Sequence, residues 1–174
     1  MPSTLDSLRT STSGIGPLTL FDSVYQGVLP VGEVKLSNVA LAEILSLSSG
    51  LARTALLGIH AARESVSNSG IDLKKWRTGL ISATTVGGMD KTEFFFKEFL
   101  QDQNKGRLRD VVNHGCGKST ALIASDLGIK KYVSTINTAC SSSTNAIALA
   151  ARMISAGMLD VVVAGGTDAL TKYT

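Results

Sequence analysis

One thiol in this chain is placed to do chemistry. Cys140 lies in the run Asn137-Thr138-Ala139-Cys140-Ser141-Ser142-Ser143. The β-branched stretch Tyr132-Val133-Ser134-Thr135-Ile136 precedes it. An alanine-rich, helix-compatible stretch over 144–156 follows, and then the apolar Val161-Val162-Val163-Ala164, closed by Gly165-Gly166. Strand, cysteine, helix, strand is an order that sets a sulfur at a helix N-terminus, where the positive end of the helix dipole favours the nucleophilic thiolate. The first N–H groups of a helix have no intrahelical partner, so they can also stabilise a developing oxyanion. Ala139, Ser141, Ser142 and Ser143 are small enough to leave room for a thioester. On spacing alone, a small buried thiol in a tight turn, the usual state of a free cysteine, fits equally well.

Few other residues compete. His60 falls in the middle of a helical stretch and reads as a surface or packing residue, and His114 sits in a glycine-rich turn. His114-Gly115-Cys116-Gly117-Lys118-Ser119 imitates the end of a phosphate-binding loop. That motif needs a glycine five positions before Gly117, where Val112 stands. One Cys and one His two residues apart do not make a zinc site, so Cys116 reads as a bystander thiol. Neither a metal nor a cofactor is expected. A cysteine hydrolase would need a base within hydrogen-bonding reach of Cys140, and neither histidine is placed to suggest one.

The elements that must position Cys140 follow from periodicity. Residues 1–37, rich in Ser, Thr, Gly and Pro, read as loop, and a short helix or turn is expected near 38–48. Ala52, Ala55, Ile59, Ala62 and Val66 recur at helical steps over 49–68, with Arg53, Arg63 and Glu64 on the outer face and Asn68-Ser69-Gly70 as the stop. Residues 79–85 read as a buried strand ended by Gly87-Gly88. A short amphipathic helix falls within 89–112, with Phe95 and Phe99 four apart. Residues 113–117 read as a turn, 118–127 as a helix ended by Gly128, 132–137 as a strand, 141–156 as a helix and 160–164 as a strand. Strands alternating with helices predict an α/β fold with a largely parallel sheet.

Composition sets the outer bounds. The 174 residues suffice for one domain, and aromatics supply only 5%, so the core must be aliphatic and small-residue packed. A net charge of +3 without a Lys/Arg stripe argues against nucleic-acid binding. No apolar run approaches the roughly 18 residues of a membrane span. The N-terminus lacks the basic and apolar regions of a secretory signal, so a cytoplasmic, reducing setting with Cys140 free is expected.

The stretch from Thr138 through Ser143, continued by Ala146, Ala150, Arg152, Gly157 and Asp160-Val161-Val162-Val163-Ala164-Gly165-Gly166-Thr167-Asp168, resembles the active-site segment of the β-ketoacyl synthases. These are thiolase-fold enzymes of fatty acid and polyketide assembly. Ser13-Gly14-Ile15, the helix ending at Ser69-Gly70, and residues 79–88 fall where the N-terminal half of that family has similar segments. The resemblance implies the N-terminal half of a thiolase-like fold over residues 1–174, a mixed, largely parallel sheet with flanking helices. It is incomplete, lacking the family's first strand with its Thr-Gly-x-Gly turn and the C-terminal half.

The resemblance further implies an elongating synthase and an acyltransferase reaction, a decarboxylating Claisen condensation. Cys140 matches the nucleophile, and its backbone N–H would form part of the oxyanion hole. The partners implied are acyl carrier protein, acyl and malonyl thioesters, and a second subunit, identical or related, paired through the strand at 132–137. The family's two catalytic histidines, a nearby lysine and the second oxyanion donor belong to the half not matched here, which points to a truncated chain or a split gene product. This chain alone is then expected to accept an acyl group but not to condense it. The alternative is a non-catalytic half-domain that serves as a dimerisation or scaffolding part of a larger synthase. Phe94, Phe95 and Phe96 either line an acyl pocket or an interface, or form a plain core or lid helix. Lys74, Lys75, Arg77, Lys130 and Lys131 either meet an acidic carrier or form a solvated rim.

Overall fold

The computed structural model describes residues 2–174. They form two units, residues up to Ser37 and residues from Asn38 onward. In the first, Pro2–Arg9 form a helix, α1, in a segment that the sequence reads as loop. Pro2 opens the helix, a position where proline's missing N–H costs nothing. Beyond it the segment is irregular, with one antiparallel bridge between Gly16 and Val31. The buried carboxylate of Glu33 staples it by accepting from the Thr19 and Leu20 N–H groups, the Thr19 hydroxyl and the Lys35 ammonium.

The second unit is a three-layer α/β sandwich. Its elements in chain order are α2 (Asn38–Leu45), α3 (Arg53–Ser69), β1 (Thr78–Ala83), α4 (Met89–Gln101), α5 (Leu108–Val112), α6 (Cys116–Leu127), β2 (Tyr132–Ile136), α7 (Ser142–Ser155) and β3 (Val161–Gly166). All three strands are parallel, in the order β2-β1-β3. The central strand β1 is buried along its whole length, and its side chains alternate between two cores. Leu80 packs with Leu41, Leu45, Leu56, Ile59 and Ile123 of α2, α3 and α6 on one face. Ile81 and Ala83 pack with Ala146, Ala150 and Met153 of α7 on the other. The small residues of α7 let that helix lie close on the sheet.

The caps match the sequence at Gly70 and Gly128, which end α3 and α6 in the left-handed conformation that favours glycine. Three expectations are corrected. Residues 89–112 hold two helices, because Gly106 turns the chain at φ 97° between them. α6 starts at Cys116, inside the expected turn, because Gly115 already takes the cap position. Arg53 is buried, with 7% exposure, where an outer face was expected. It is the first residue of α3, where its N–H donates to Asp90 Oδ2 at 3.0 Å and its guanidinium donates to Asn38 Oδ1 at 2.9 Å. Arg63, its side chain 40% exposed, pairs with Asp126 of α6.

Candidate active site at the C-terminal edge of the sheet

Parallel strands bring their C-terminal ends to one edge. Here the crossover from β1 runs out to β2 through α6 on one face, and the crossover from β2 returns past β1 to β3 through α7 on the other, the reversal at which open α/β sheets take ligands outside those ends. Three turns meet there: 84–88 after β1, 137–141 after β2, and 166–168 after β3. The N–H of Thr84 donates to Ile136 O, and that of Thr167 to Ala83 O at 2.9 Å. Cys140 is exposed on the turn after β2, two residues ahead of α7.

The serines that follow Cys140 hold its turn. Ser142 is buried; its hydroxyl accepts from the Thr138 N–H at 2.8 Å and donates to Ala139 O at 2.7 Å. The Ser141 hydroxyl donates to Thr138 O at 2.8 Å, and Asn145 Nδ2 donates to Thr138 Oγ1 at 2.7 Å. Turn bonds occupy the N–H groups of Ser141 and Ser142 and do not use that of Cys140. Ala139 takes φ 52°, in the left-handed region that costs a residue bearing a Cβ about 1–2 kcal/mol. The surrounding bonds hold that strained link directly before the sulfur.

Asp168 has no role in the sequence reading, and it ties the turn after β1 to the turn after β3. One carboxylate oxygen accepts from Thr84 Oγ1 at 2.7 Å and from the Thr85 N–H at 2.8 Å; the other accepts from Thr85 Oγ1 at 2.9 Å. Partial burial pushes this carboxyl up, but these bonds outweigh it and hold Asp168 below its usual range. The only sequence signal for it is an acidic residue just after a strand that ends in Gly-Gly.

The remaining expected residues fall as follows. Cys116 is half-buried at the start of α6, where Asn137 Nδ2 approaches its sulfur at 3.6 Å. His114 Nδ1 bonds Thr92 Oγ1 at 2.9 Å, and His60 is exposed on α3. No hydrogen bond links either histidine to Cys140 among the described residues. On α4, Phe95 and Phe99 stack at 5.7 Å while Phe94 is exposed. Arg77 pairs with Asp160 at 2.6 Å, tying the start of β1 to the start of β3. It therefore lies at the N-terminal edge of the sheet with Lys130 and Lys131, which precede β2, on the edge opposite Cys140. That placement favours a solvated rim.

The beta-ketoacyl synthase N-terminal domain matches residues 48–174. The chain belongs to the beta-ketoacyl synthase family. It is 29% identical to nodulation protein E of Rhizobium meliloti (strain 1021) over 174 residues, covering 93% of this chain and 41% of that protein. It is 28% identical to 3-oxoacyl-[acyl-carrier-protein] synthase 2 of Staphylococcus aureus over 171 residues, with 95% and 41% covered. The chain thus spans about two fifths of the length of these curated relatives. Among solved structures, the ishigamide ketosynthase/chain length factor superposes with a TM-score of 0.82 at 21% identity, covering 99% of this chain and 44% of that one. An oxazolomycin ketosynthase domain of Streptomyces albus gives 0.72 at 16%, covering 97% and 32%. The N-terminal part of a thiolase-like β-ketoacyl synthase fold, expected from the resemblance, is the fold observed.

Proposed function

We propose that Cys140 is the acyl-accepting nucleophile of a β-ketoacyl synthase, and that the chain supplies the acyl-transfer half of its reaction. The observation that carries this reading is an exposed thiol ahead of a helix N-terminus, in a fastened turn at the C-terminal edge of a parallel sheet. The Cys140 thiolate attacks the carbonyl carbon of an acyl thioester on a carrier protein. The carbonyl oxygen takes up negative charge, faced by the Cys140 N–H as part of an oxyanion hole. The carbon–sulfur bond to the carrier then breaks, and the carrier thiolate recovers the proton that Cys140 gave up. One thioester replaces another, with no redox change.

In the complete enzyme a malonyl thioester then loses carbon dioxide, and its carbanion attacks the acyl carbon and releases Cys140. That step needs groups that assist decarboxylation, and neither His60 nor His114 is bonded to Cys140. On this reading the chain contributes the acyl-accepting step. A reducing, cytoplasmic setting suits a reaction that needs a free thiol.

A second copy, or a related subunit, pairs through β2. Support comes from the sheet order, which leaves β2 at an edge with Val133 41% exposed, since an unpaired strand edge invites another strand. The same edge serves the scaffolding alternative, and chemistry at Cys140 separates the two. The chain is incubated with an acyl-pantetheine thioester, then with iodoacetamide, and its cysteine peptides are mapped. Cys140 should be protected and Cys116 should not; equal alkylation of Cys140 with and without thioester would leave only the scaffolding role.

A further inference from the structure

The N–H of Cys140 belongs to the peptide that joins it to Ala139. That peptide is trans, so its N–H points opposite to the Ala139 carbonyl. The carbonyl direction is set by Ser142, whose hydroxyl donates to it at 2.7 Å and whose N–H donates to it at 3.1 Å. The Cys140 N–H is thereby turned away from the first turn of α7, and no bond among the described residues uses it.

The peptide on the other side of Ala139 is held as well. The Thr138 carbonyl accepts from the Ser141 hydroxyl at 2.8 Å and from the Ser141 N–H at 3.3 Å. The Thr138 N–H donates to Ser142 Oγ at 2.8 Å. Two planes fixed on either side of one residue fix its φ and ψ, which keeps Ala139 at φ 52°. Released on either side, Ala139 would leave this left-handed conformation for one of lower energy, and the plane carrying the Cys140 N–H would swing with it. Ser142 is 4% exposed and makes two such bonds through its hydroxyl, whereas Ser141 is exposed. Ser142 is therefore the stronger of the two holds.

We propose that Ser141 and Ser142 are positioning residues: they hold the two peptide planes around Ala139 so that the Cys140 N–H is aimed at the oxygen of an incoming thioester carbonyl. The inference rests on the reading of Cys140 as the acyl acceptor. Neither hydroxyl takes part in bond making. The pair fixes in advance a donor that must not reorganise as charge develops on that oxygen.

The test compares two reactions of Cys140. Transfer from an acyl-pantetheine thioester builds an oxyanion and needs the aimed N–H. Alkylation by iodoacetamide displaces iodide at a saturated carbon and does not. Ser142→Ala is expected to slow acylation about tenfold and Ser141→Ala about threefold, each with alkylation of Cys140 within about twofold of the parent chain. Half-buried Cys116 is mapped in the same samples, where unchanged alkylation shows that the fold is kept. Ser141 is exposed, so its variant keeps the comparison open if Ser142→Ala does not fold. Acylation at the parent rate in the folded variants, or equal falls in both reactions, overturns the proposal. Nitrogen-15 relaxation of the Cys140 amide gives a reading independent of acyl transfer. Its order parameter should lie near about 0.85 in the parent chain and below about 0.6 in the variants. An amide that is mobile in the parent chain, or equally rigid in all of them, also overturns it. Loosening in the variants, together with a parent chain that takes up no acyl group, sinks the Cys140 reading instead.

Discussion

Gly88 and His114 are joined backbone to backbone. The Gly88 N–H donates to the His114 carbonyl at 3.0 Å, and a Cβ on Gly88 would collide with the carbonyl of neighbouring Asn113. The turn after β1 and the loop before α6 are thus in contact through main chain alone. The first turn is fastened by Asp168 and the second leads to Cys116 and Asn137, so the path ends at the turn that carries Cys140.

Substituting Gly88 by alanine should therefore cost about 1–3 kcal/mol, the usual penalty of overpacking, because carbonyl backbone cannot swing aside as a side chain can. Gly115 supplies the contrast: nothing lies within 4 Å of a Cβ placed there. Thermal unfolding of G88A and G115A should show a clear loss for the first and about 0.5 kcal/mol or less for the second. Equal losses would refute the close-contact reading.

Asp168→Ala removes the acceptor shared by Thr84 and Thr85. Because Asp168 is exposed, a loss of only about 1 kcal/mol is expected, with slower acylation of Cys140. The folded carboxyl is held below its usual range, so its contribution is present above the ordinary aspartate value near 3.9 and fades as pH falls below it. Urea titrations at pH 7 and pH 3 should show the D168A deficit shrinking at the lower pH; a deficit that grows there would reverse the sign.

Glu33 makes a sharper acid test. Burial opposes its charge, but Lys35, Thr19 and Leu20 outweigh that and bring it from 4.5 to about 2. Its stabilisation is complete above about pH 4.5 and is lost as pH falls toward 2. Acid unfolding of the segment before Asn38, followed by hydrogen exchange at Thr19 and Leu20, should fall in that window. Glu33→Gln should already lack the protection at pH 7; protection equal to the parent chain would show that the charge is not what holds the segment.

Ala139 allows opposite substitutions. Glycine relieves the left-handed conformation, while valine, branched at Cβ, worsens it. A139G is expected to match or exceed the parent chain in thermal stability, and A139V to lose about 1–2 kcal/mol. If A139V unfolds with the parent chain, the turn is not strained.

The sequence makes the elements around Cys140 legible because their information is local. Val133, Thr135 and Ile136 favour a strand, and the alanines of 146–151 favour a helix that packs closely on it. Neither α1 nor the burial of Arg53 can be read in this way. α1 lies in a Ser/Thr-rich segment of weak periodicity, and Arg53 goes inward because Asn38 and Asp90 meet it from other elements. Asp168 and Thr84 are 84 residues apart, and the His114–Thr92 pair joins a loop to a helix. The proposed nucleophile is therefore visible in one dimension, while the long-range bonds around its turn emerge from the fold.

The most direct measurement is the intact mass of three proteins, the parent chain, Cys140→Ala and Cys116→Ala, after incubation with one acyl-pantetheine thioester. The parent chain and Cys116→Ala should each gain a single acyl group, removable by hydroxylamine, and Cys140→Ala should gain none. Acylation that persists in Cys140→Ala, or disappears in Cys116→Ala, would place the nucleophile elsewhere.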